Sequence, residues 1–297
     1  MTERRTVLIR YDEIGLKGRN RKFFEKCLLR NIKRVLSSGT DDIVYRSPRG
    51  RIFLDIPSSF APECTARLKT VPGIASFSIG ISMAPDFDAI SVLGIQWIEP
   101  QLDSSGNSLK FCVKTRRSEK SFPKTSPEVN FEVGSRIMKQ LSSRGLTVNI
   151  KEAEYVLEIE IGSSETVVFD NWEPGLRGLP VGSSGNVLCL LSGGIDSPVS
   201  AFMMACRGCR VHFVFFDNQP FLGRGGYDKV LSLAKKINHF QARGILFVVP
   251  FQDIQGAIRD RCNEENRVVL YRRMMYRIAG EIAGRYSFMA SVTGDLV

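Results

Sequence analysis

The stretch Val187–Ala205 constrains this chain more than any other. Leu188-Cys189-Leu190-Leu191 is wholly apolar, as a central parallel strand is when both faces of its sheet are covered. Ser192-Gly193-Gly194-Ile195-Asp196-Ser197 follows directly, and a helical pattern begins at Pro198. Glycines lack Cβ atoms, so the backbone can turn sharply and bring its N–H groups close to a ligand. Ser192, Ser197 and the first helical amides can donate to phosphate oxygens, and the helix N-terminus adds partial positive charge. The pattern is that of a strand–loop–helix phosphate cradle. It is not a Walker loop, because Gly-x-x-x-x-Gly-Lys-Ser/Thr occurs nowhere in the chain. No Gly-x-Gly-x-x-Gly follows a strand, so a dinucleotide fold has no support. A carboxylate beside phosphate is repulsive unless something offsets it. Asp196 is therefore assigned to placing Mg²⁺ or to the chemistry; the competing reading makes Asp196 and Ser197 a helix N-cap.

The pattern around this loop is one of alternation. Strands at Val187–Leu191, Val211–Phe216, Ile245–Val249 and Phe288–Val292 alternate with helices at Pro198–Arg207, Gly226–Ile237 and Val268–Ala283. That order implies an α/β domain with a parallel sheet. The first half of the chain reads differently. A strand at Val7–Tyr11, a helix at Arg21–Leu36 and a strand pair, Ile43–Tyr45 and Arg51–Ile56, around Pro48-Arg49-Gly50 come first. Helix Pro62–Lys69 and strand Ser76–Ile81 complete a β-α-β-β-α-β order, which suggests a small ferredoxin-like unit. A second α+β stretch holds helix Phe87–Glu99, strand Leu109–Thr115, helix Pro127–Ser142 and strands Val148–Ile150, Tyr155–Ile161 and Glu165–Phe169. Asn171–Asn186 is rich in Gly and Pro and reads as a linker.

Charge sharpens the division. The net charge of the 297 residues is +10. Residues 1–60 carry 14 Lys/Arg against 7 Asp/Glu, and residues 184–297 carry 14 against 9. The middle is slightly acidic, yet Lys110–Lys124 holds six basic residues opposed only by Glu119. Basic charge concentrated in this way attracts phosphate backbones; the alternative is a solvated, lysine-rich surface. No apolar run approaches the roughly 18 residues of a membrane span, and no apolar signal core follows Met1. Seven scattered cysteines do not form a disulfide framework. The expected location is the cytoplasm.

The loop and five further segments, which keep the family's order along the chain, give a family resemblance. Leu191–Val199 is similar to the pyrophosphate loop of the tRNA 4-thiouridine synthetases, also called tRNA sulfurtransferases, the ThiI family. Glu13 with Gly15-Leu16-Lys17-Gly18-Arg19-Asn20-Arg21 resembles the family's N-terminal segment, and Lys114–Pro123 its basic THUMP segment. Gly178-Leu179-Pro180-Val181-Gly182 resembles the linker before the ATP domain. Arg272-Arg273-Met274-Met275 and Thr293-Gly294 also fall at the family's places. The resemblance implies an α+β half, ferredoxin-like (1–60) plus THUMP (61–168), a linker (169–185) and an α/β pyrophosphate-loop domain (186–297). It implies ATP with Mg²⁺ and tRNA. It also implies a persulfide donor such as a cysteine desulfurase, and leaves a homodimer open. In such enzymes ATP adenylates uridine C4 and a persulfide sulfur displaces AMP; related members pass sulfur toward the thiamine thiazole.

Carried over by position, Leu190 and Leu191 flank the nucleotide, and Ser192, Gly193, Gly194 and Ser197 hold phosphates. Asp196 serves activation, Phe215 and Phe216 lie near adenine or ribose, Arg272 reaches the nucleotide, and Gly294 lines the site. Outside the family frame the phenylalanines read as a buried strand end, Arg272 as a surface arginine and Gly294 as a turn glycine. The resemblance assigns RNA contacts to Lys17, Arg19, Arg21, Lys114, Arg116, Arg117, Lys120 and Lys124. Phe122 could stack on an unpaired base or simply pack.

The chain ends at Thr293-Gly294-Asp295-Leu296-Val297, before the family's Gly-Gln-Val-Ala-Ser-Gln-Thr continuation and its catalytic cysteine. The expectation is an ATP-dependent tRNA sulfurtransferase that makes 4-thiouridine, its chain here a fragment, a truncated gene product or a degenerate member; the early stop suggests RNA binding and adenylation without completed sulfur transfer. Cys206-Arg207-Gly208-Cys209 is a C-x-x-C, redox-active in some settings, but no second pair completes a metal site. The rival functions are a tRNA-binding module without turnover and an ATP-dependent ligase that adenylates a small molecule.

Overall fold

The structure, a computed structural model, describes residues 3–47, 51–106, 108–117, 122–162, 165–218 and 223–294. It divides into two compact units.

The first unit comprises residues 1–10, 40–63 and 76–174. Its strands are β1 (Arg4–Arg10), β2 (Val44–Arg46), β3 (Ile52–Pro57) and β4 (Ser76–Met83), followed by β5 (Leu109–Arg117) and β6 (Leu146–Val148). β7 (Tyr155–Ile161), β8 (Thr166–Phe169) and the two-residue β9 (Glu173–Pro174) complete the set. Among the described residues they form one mixed sheet in the order β2-β3-β1-β4-β8-β7-β5-β6, with β9 beside β4. The β2-β3-β1-β4 part is antiparallel throughout, with Leu8 opposite Phe53 and Ser78. β5 runs parallel to both β6 and β7. One face carries helices Phe87–Ser104 and Ser126–Leu141, whose Ile90, Ile98, Leu102, Val129, Val133 and Ile137 bury with Phe111 and Leu157 in one core.

Two elements differ from the sequence expectation. The sequence expectation ends this helix at Glu99, but the helix runs through Pro100 to Ser104. Leu102, fully buried, pulls that last turn into the core. β6 sits at Leu146–Val148, two residues before the expected Val148–Ile150, because Leu146 is the buried residue while Val148 and Ile150 are exposed.

The second unit comprises residues 11–39, 64–75 and 175–297. It includes the helix Arg21–Leu36 and a wholly parallel sheet. The strands are β10 (Asn186–Leu190), β11 (Arg210–Asp217), β12 (Leu246–Pro250) and β13 (Ala290–Val292), in the order β12-β11-β10-β13. The period of two along each strand serves both faces. Val187, Cys189, Leu191 and Phe213 go to one side, with Ala201 and Ala205 of helix Asp196–Cys206 and Val230, Ala234 and Ile237 of helix Gly223–Asn238. Leu188, Val214 and Phe216 go to the other, with Ala279 and Ala283 of helix Glu264–Arg285. The helix Gln252–Arg261 was not visible in the sequence: it buries no residue, and only its Ile254 packs against the core. The Gly- and Pro-rich linker is packed where it enters this unit. Leu179 and Val181 are buried, and Asn31 donates its side-chain amide to the Val181 carbonyl at 3.0 Å. No helix among the described residues is long and apolar enough to cross a membrane.

Candidate functional site

β10 has β11 on one side and β13 on the other, so the chain reverses its winding direction beside β10. In open parallel sheets, ligands bind at such a switch point, outside the carboxyl ends of the strands. A cavity of about 530 Å³ lies there. Three stretches of its lining lie at strand ends, Leu190–Gly194 at β10, Phe215–Asn218 at β11 and Thr293-Gly294 after β13, and two helices close it with Gly226 and Tyr227 and with Arg272, Met275 and Tyr276.

The loop between β10 and its helix is held by its own hydroxyls. Ser192 N–H donates to Ser197 Oγ at 2.9 Å, and Gly194 N–H donates to Ser192 Oγ at 3.3 Å. The two hydroxyl oxygens are 3.1 Å apart. Ser197 is buried and Asp196 exposed. The helix begins at Asp196 with Ile195 in the capping position and no side-chain cap. The Asp196 carboxylate is thus not spent on the helix end, and the first-turn amides keep their capacity for an anion. Gly294 explains itself by distance: a Cβ there would lie 2.5 Å from Ser197 N and 2.7 Å from Asp196 C. The β13 end therefore touches the start of the phosphate loop, backbone to backbone.

The cavity gathers all eleven residues that the sequence assigned to catalysis and nucleotide contact: Asp196, Leu190, Leu191, Ser192, Gly193, Gly194, Ser197, Phe215, Phe216, Arg272 and Gly294. Phe215 and Phe216 point to opposite faces of β11 and pack against different cores, yet both reach the cavity rim. Asp217, Asn218, Tyr227 and Tyr276 also line it and were missed. The first two had a signal, since they stand at the carboxyl end of β11 as Leu190 and Leu191 stand at that of β10. The tyrosines had none, because helix periodicity alone does not say which turn meets a strand end. No group of three or more His, Cys, Asp or Glu among the described residues could hold a metal.

The comparisons with known proteins match this geometry. A family model described as ThiI ferredoxin-like domain matches residues 6–78, one described as THUMP domain matches 84–169, and one described as Thiamine biosynthesis protein (ThiI) matches 182–297. A probable tRNA sulfurtransferase of Halothermothrix orenii is 36% identical over 99% of this chain and 74% of its own length. The chain belongs to the ThiI family. A second relative, from Brevibacillus brevis and of the same description, is 37% identical over 97% of this chain and 71% of its own. Among solved structures, a 4-thiouridine synthetase–RNA complex with bound ATP superposes with a TM-score of 0.85 at 32% identity. It covers 98% of this chain and 73% of that one. PH1313 from Pyrococcus horikoshii gives 0.72 at 28% identity, covering 86% and 82%. The α+β half followed by a parallel-sheet domain is thus the ThiI architecture.

In this ThiI-family chain the residues expected to meet RNA have unequal freedom. Lys114 and Arg116 are exposed and share one face of β5, two residues apart. Arg116 stands close enough to Arg10 and Arg51 to help lower the pKa of each, although burial is the larger cause in both. Arg117 instead donates to the carbonyls of Phe122 and Lys124, at 3.2 and 2.7 Å, and so ties down the loop end. Lys124 pairs with Glu132, and Phe122 packs edge-on against Phe87. Lys120 lies outside the described residues. In the second unit Arg19 is exposed, Lys17 lies over the Phe24 ring, and Arg21 is held by Glu25 and Tyr11.

The C-x-x-C pair does not have the setting of a reactive thiol. Burial pushes both Cys206 and Cys209 above the ordinary cysteine value, opposite to what thiolate chemistry requires. No cysteine lines the cavity.

Proposed function

We propose that this chain is an ATP-dependent tRNA sulfurtransferase that makes 4-thiouridine. The observation that carries it is one cavity, at the switch point of a parallel sheet, that contains every assigned nucleotide residue in a chain that also has a THUMP domain. The phosphates lie on Ser192–Ser197, under the amides of the helix that follows. Uridine O4 attacks the α-phosphorus, the bond to the bridging oxygen breaks, pyrophosphate leaves with the electron pair, and the N3 proton passes to solvent. Asp196, exposed and not tied up as a cap, orients the reacting groups. Mg²⁺ travels with ATP, and the carboxylates that would help hold it are Asp196 and Asp217. Such a small set fits an ion bound mostly by phosphate oxygens and water; when bound it would neutralise phosphate charge. The sulfur that displaces AMP comes from a persulfide on a group outside the cavity lining. Delivery of the same sulfur to the thiamine thiazole is a second use, supported by the family description alone.

The small-molecule ligase reading leaves the THUMP domain and the exposed Lys114–Arg116 face without a task. The test is ATP–pyrophosphate exchange with and without tRNA. Exchange that appears on adding tRNA supports the proposal. Exchange that ignores tRNA would favour the small-molecule ligase, and tRNA binding without exchange would leave a passive RNA binder. Asp196→Ala is expected to abolish exchange while ATP still binds.

A further inference from the structure

The phosphate loop contains no cation of its own. In a Walker loop a lysine at the loop end reaches the outer phosphates; here that position holds Asp196-Ser197. Among the described residues that line the cavity, Arg272 is the one cation, against Asp196 and Asp217. A bound triphosphate would therefore meet a lining with more acid than base, and a further positive charge is needed close to the loop.

Lys229 lies there. Seen from Gly193, the space a Cβ would occupy is 3.5 Å from Lys229 Cδ and 4.0 Å from Cε. The lysine stem thus lies along the bare side of the first loop glycine. Its helix is fixed in place: Val230, the next residue, is fully buried, and Ala234 and Ile237 continue the same core. Gly226, three residues before Lys229 and so on the same helix face, lines the cavity together with Tyr227. Lys229 itself is exposed, and it forms no ion pair or hydrogen bond with any described residue. It is not among the residues lining the cavity, so its stem meets the loop from the rim. A nucleoside seated between β10 and β11 would extend its phosphates along the loop toward this rim.

We propose that Lys229 is the cation that binds the β- and γ-phosphates of ATP and neutralises the pyrophosphate as it leaves. It would take the place of the Walker lysine, delivered from the neighbouring helix instead of from the loop.

The inference rests on the nucleotide reading of this cavity, and its test separates the two. Isothermal titration of the full chain with ATP and with AMP compares wild type, Lys229→Gln and Lys229→Arg, after thermal melts establish that all three are folded. Lys229→Gln is expected to weaken ATP by about tenfold to a hundredfold, the loss of one charge-assisted contact, with AMP affinity unchanged. Lys229→Arg should retain most of the ATP affinity. In tRNA-dependent exchange, Lys229→Gln should raise the KM for pyrophosphate. Unchanged ATP affinity in Lys229→Gln, or equal losses for ATP and AMP, overturns the role of Lys229. Wild type that binds neither nucleotide overturns the site itself.

Discussion

The buried hydroxyl of Ser197 accepts the backbone N–H of Ser192 at 2.9 Å, joining the end of a strand to the first turn of the next helix. This bond sets the curvature of the phosphate loop before any ligand arrives. Ser197→Ala removes the partner of that N–H. The expected cost is about 1 kcal/mol of stability, the net worth of one such bond, seen as a lower midpoint in urea. ATP affinity should fall with it. A variant that binds ATP as tightly as wild type would show that the loop holds its shape without this brace.

Gly294 presents the reverse situation, a missing side chain on which the loop depends. Its neighbours at 2.5–2.7 Å are backbone atoms of Asp196 and Ser197, which cannot swing aside as a side chain can. Gly294→Ala is expected to displace the loop and reduce ATP affinity more than about tenfold. Gly280, in the helix Glu264–Arg285, has nothing within 4 Å of its Cβ position. Gly280→Ala serves as the control and should stabilise the helix by about 0.5–1 kcal/mol.

RNA affinity should depend on the exposed strand face more than on the rest of the basic segment. Lys114→Ala with Arg116→Ala removes two free charges and is expected to flatten the slope of log affinity against log salt by about one to two. Arg117→Ala should act mainly through stability, since its guanidinium is engaged with the Phe122 and Lys124 carbonyls. Filter binding across a salt series distinguishes the two; equal slopes for wild type and the double variant would remove this face from the RNA contact.

The buried thiols predict an alkaline weakness. Burial pushes Cys64 and Cys189 from 9.0 up to about 12. Below pH 9 both folded and unfolded chains hold these protons, so stability is unaffected. Between pH 9 and about 12 the unfolded chain releases protons that the folded chain keeps, and stability falls with rising pH. The slope is about 1.4 kcal/mol per pH unit for each thiol. Urea melts at pH 8 and pH 10 should show the loss, and Cys189→Ala should make it shallower.

Much of the site could be read from residues because its parts are contiguous. The apolar run Leu188–Leu191, the glycine pair and the helix after it are neighbours in sequence, and local chemistry constrains them together. Family position carried Phe215, Phe216, Arg272 and Gly294, which no local pattern would have brought to the same cavity. The structure adds the reason they meet: β11 and β13 flank β10, so their carboxyl ends converge. Tyr227, Tyr276 and Lys229 remained invisible because each sits on a helix whose rotation is set by core packing, not by its own sequence. The helix Gln252–Arg261 was overlooked for a related reason, since it buries no residue and so shows no apolar stripe.

By itself, the sequence determined that a parallel-sheet domain follows an α+β half, that its first strand feeds a phosphate loop, and that basic charge is concentrated in residues 1–60, 184–297 and the Lys110–Lys124 stretch. These properties are local, arising from side-chain period, glycine freedom and charge. Tertiary structure alone decided that the serine hydroxyls brace the loop, that Gly294 presses on it, and that Arg117 and Arg21 are committed to internal partners. It also placed the stem of Lys229 beside Gly193. Those facts depend on which strand lies next to which and how far each helix is turned about its axis. Both are outcomes of burying the two faces of one sheet at once, a condition that no single segment of the chain contains.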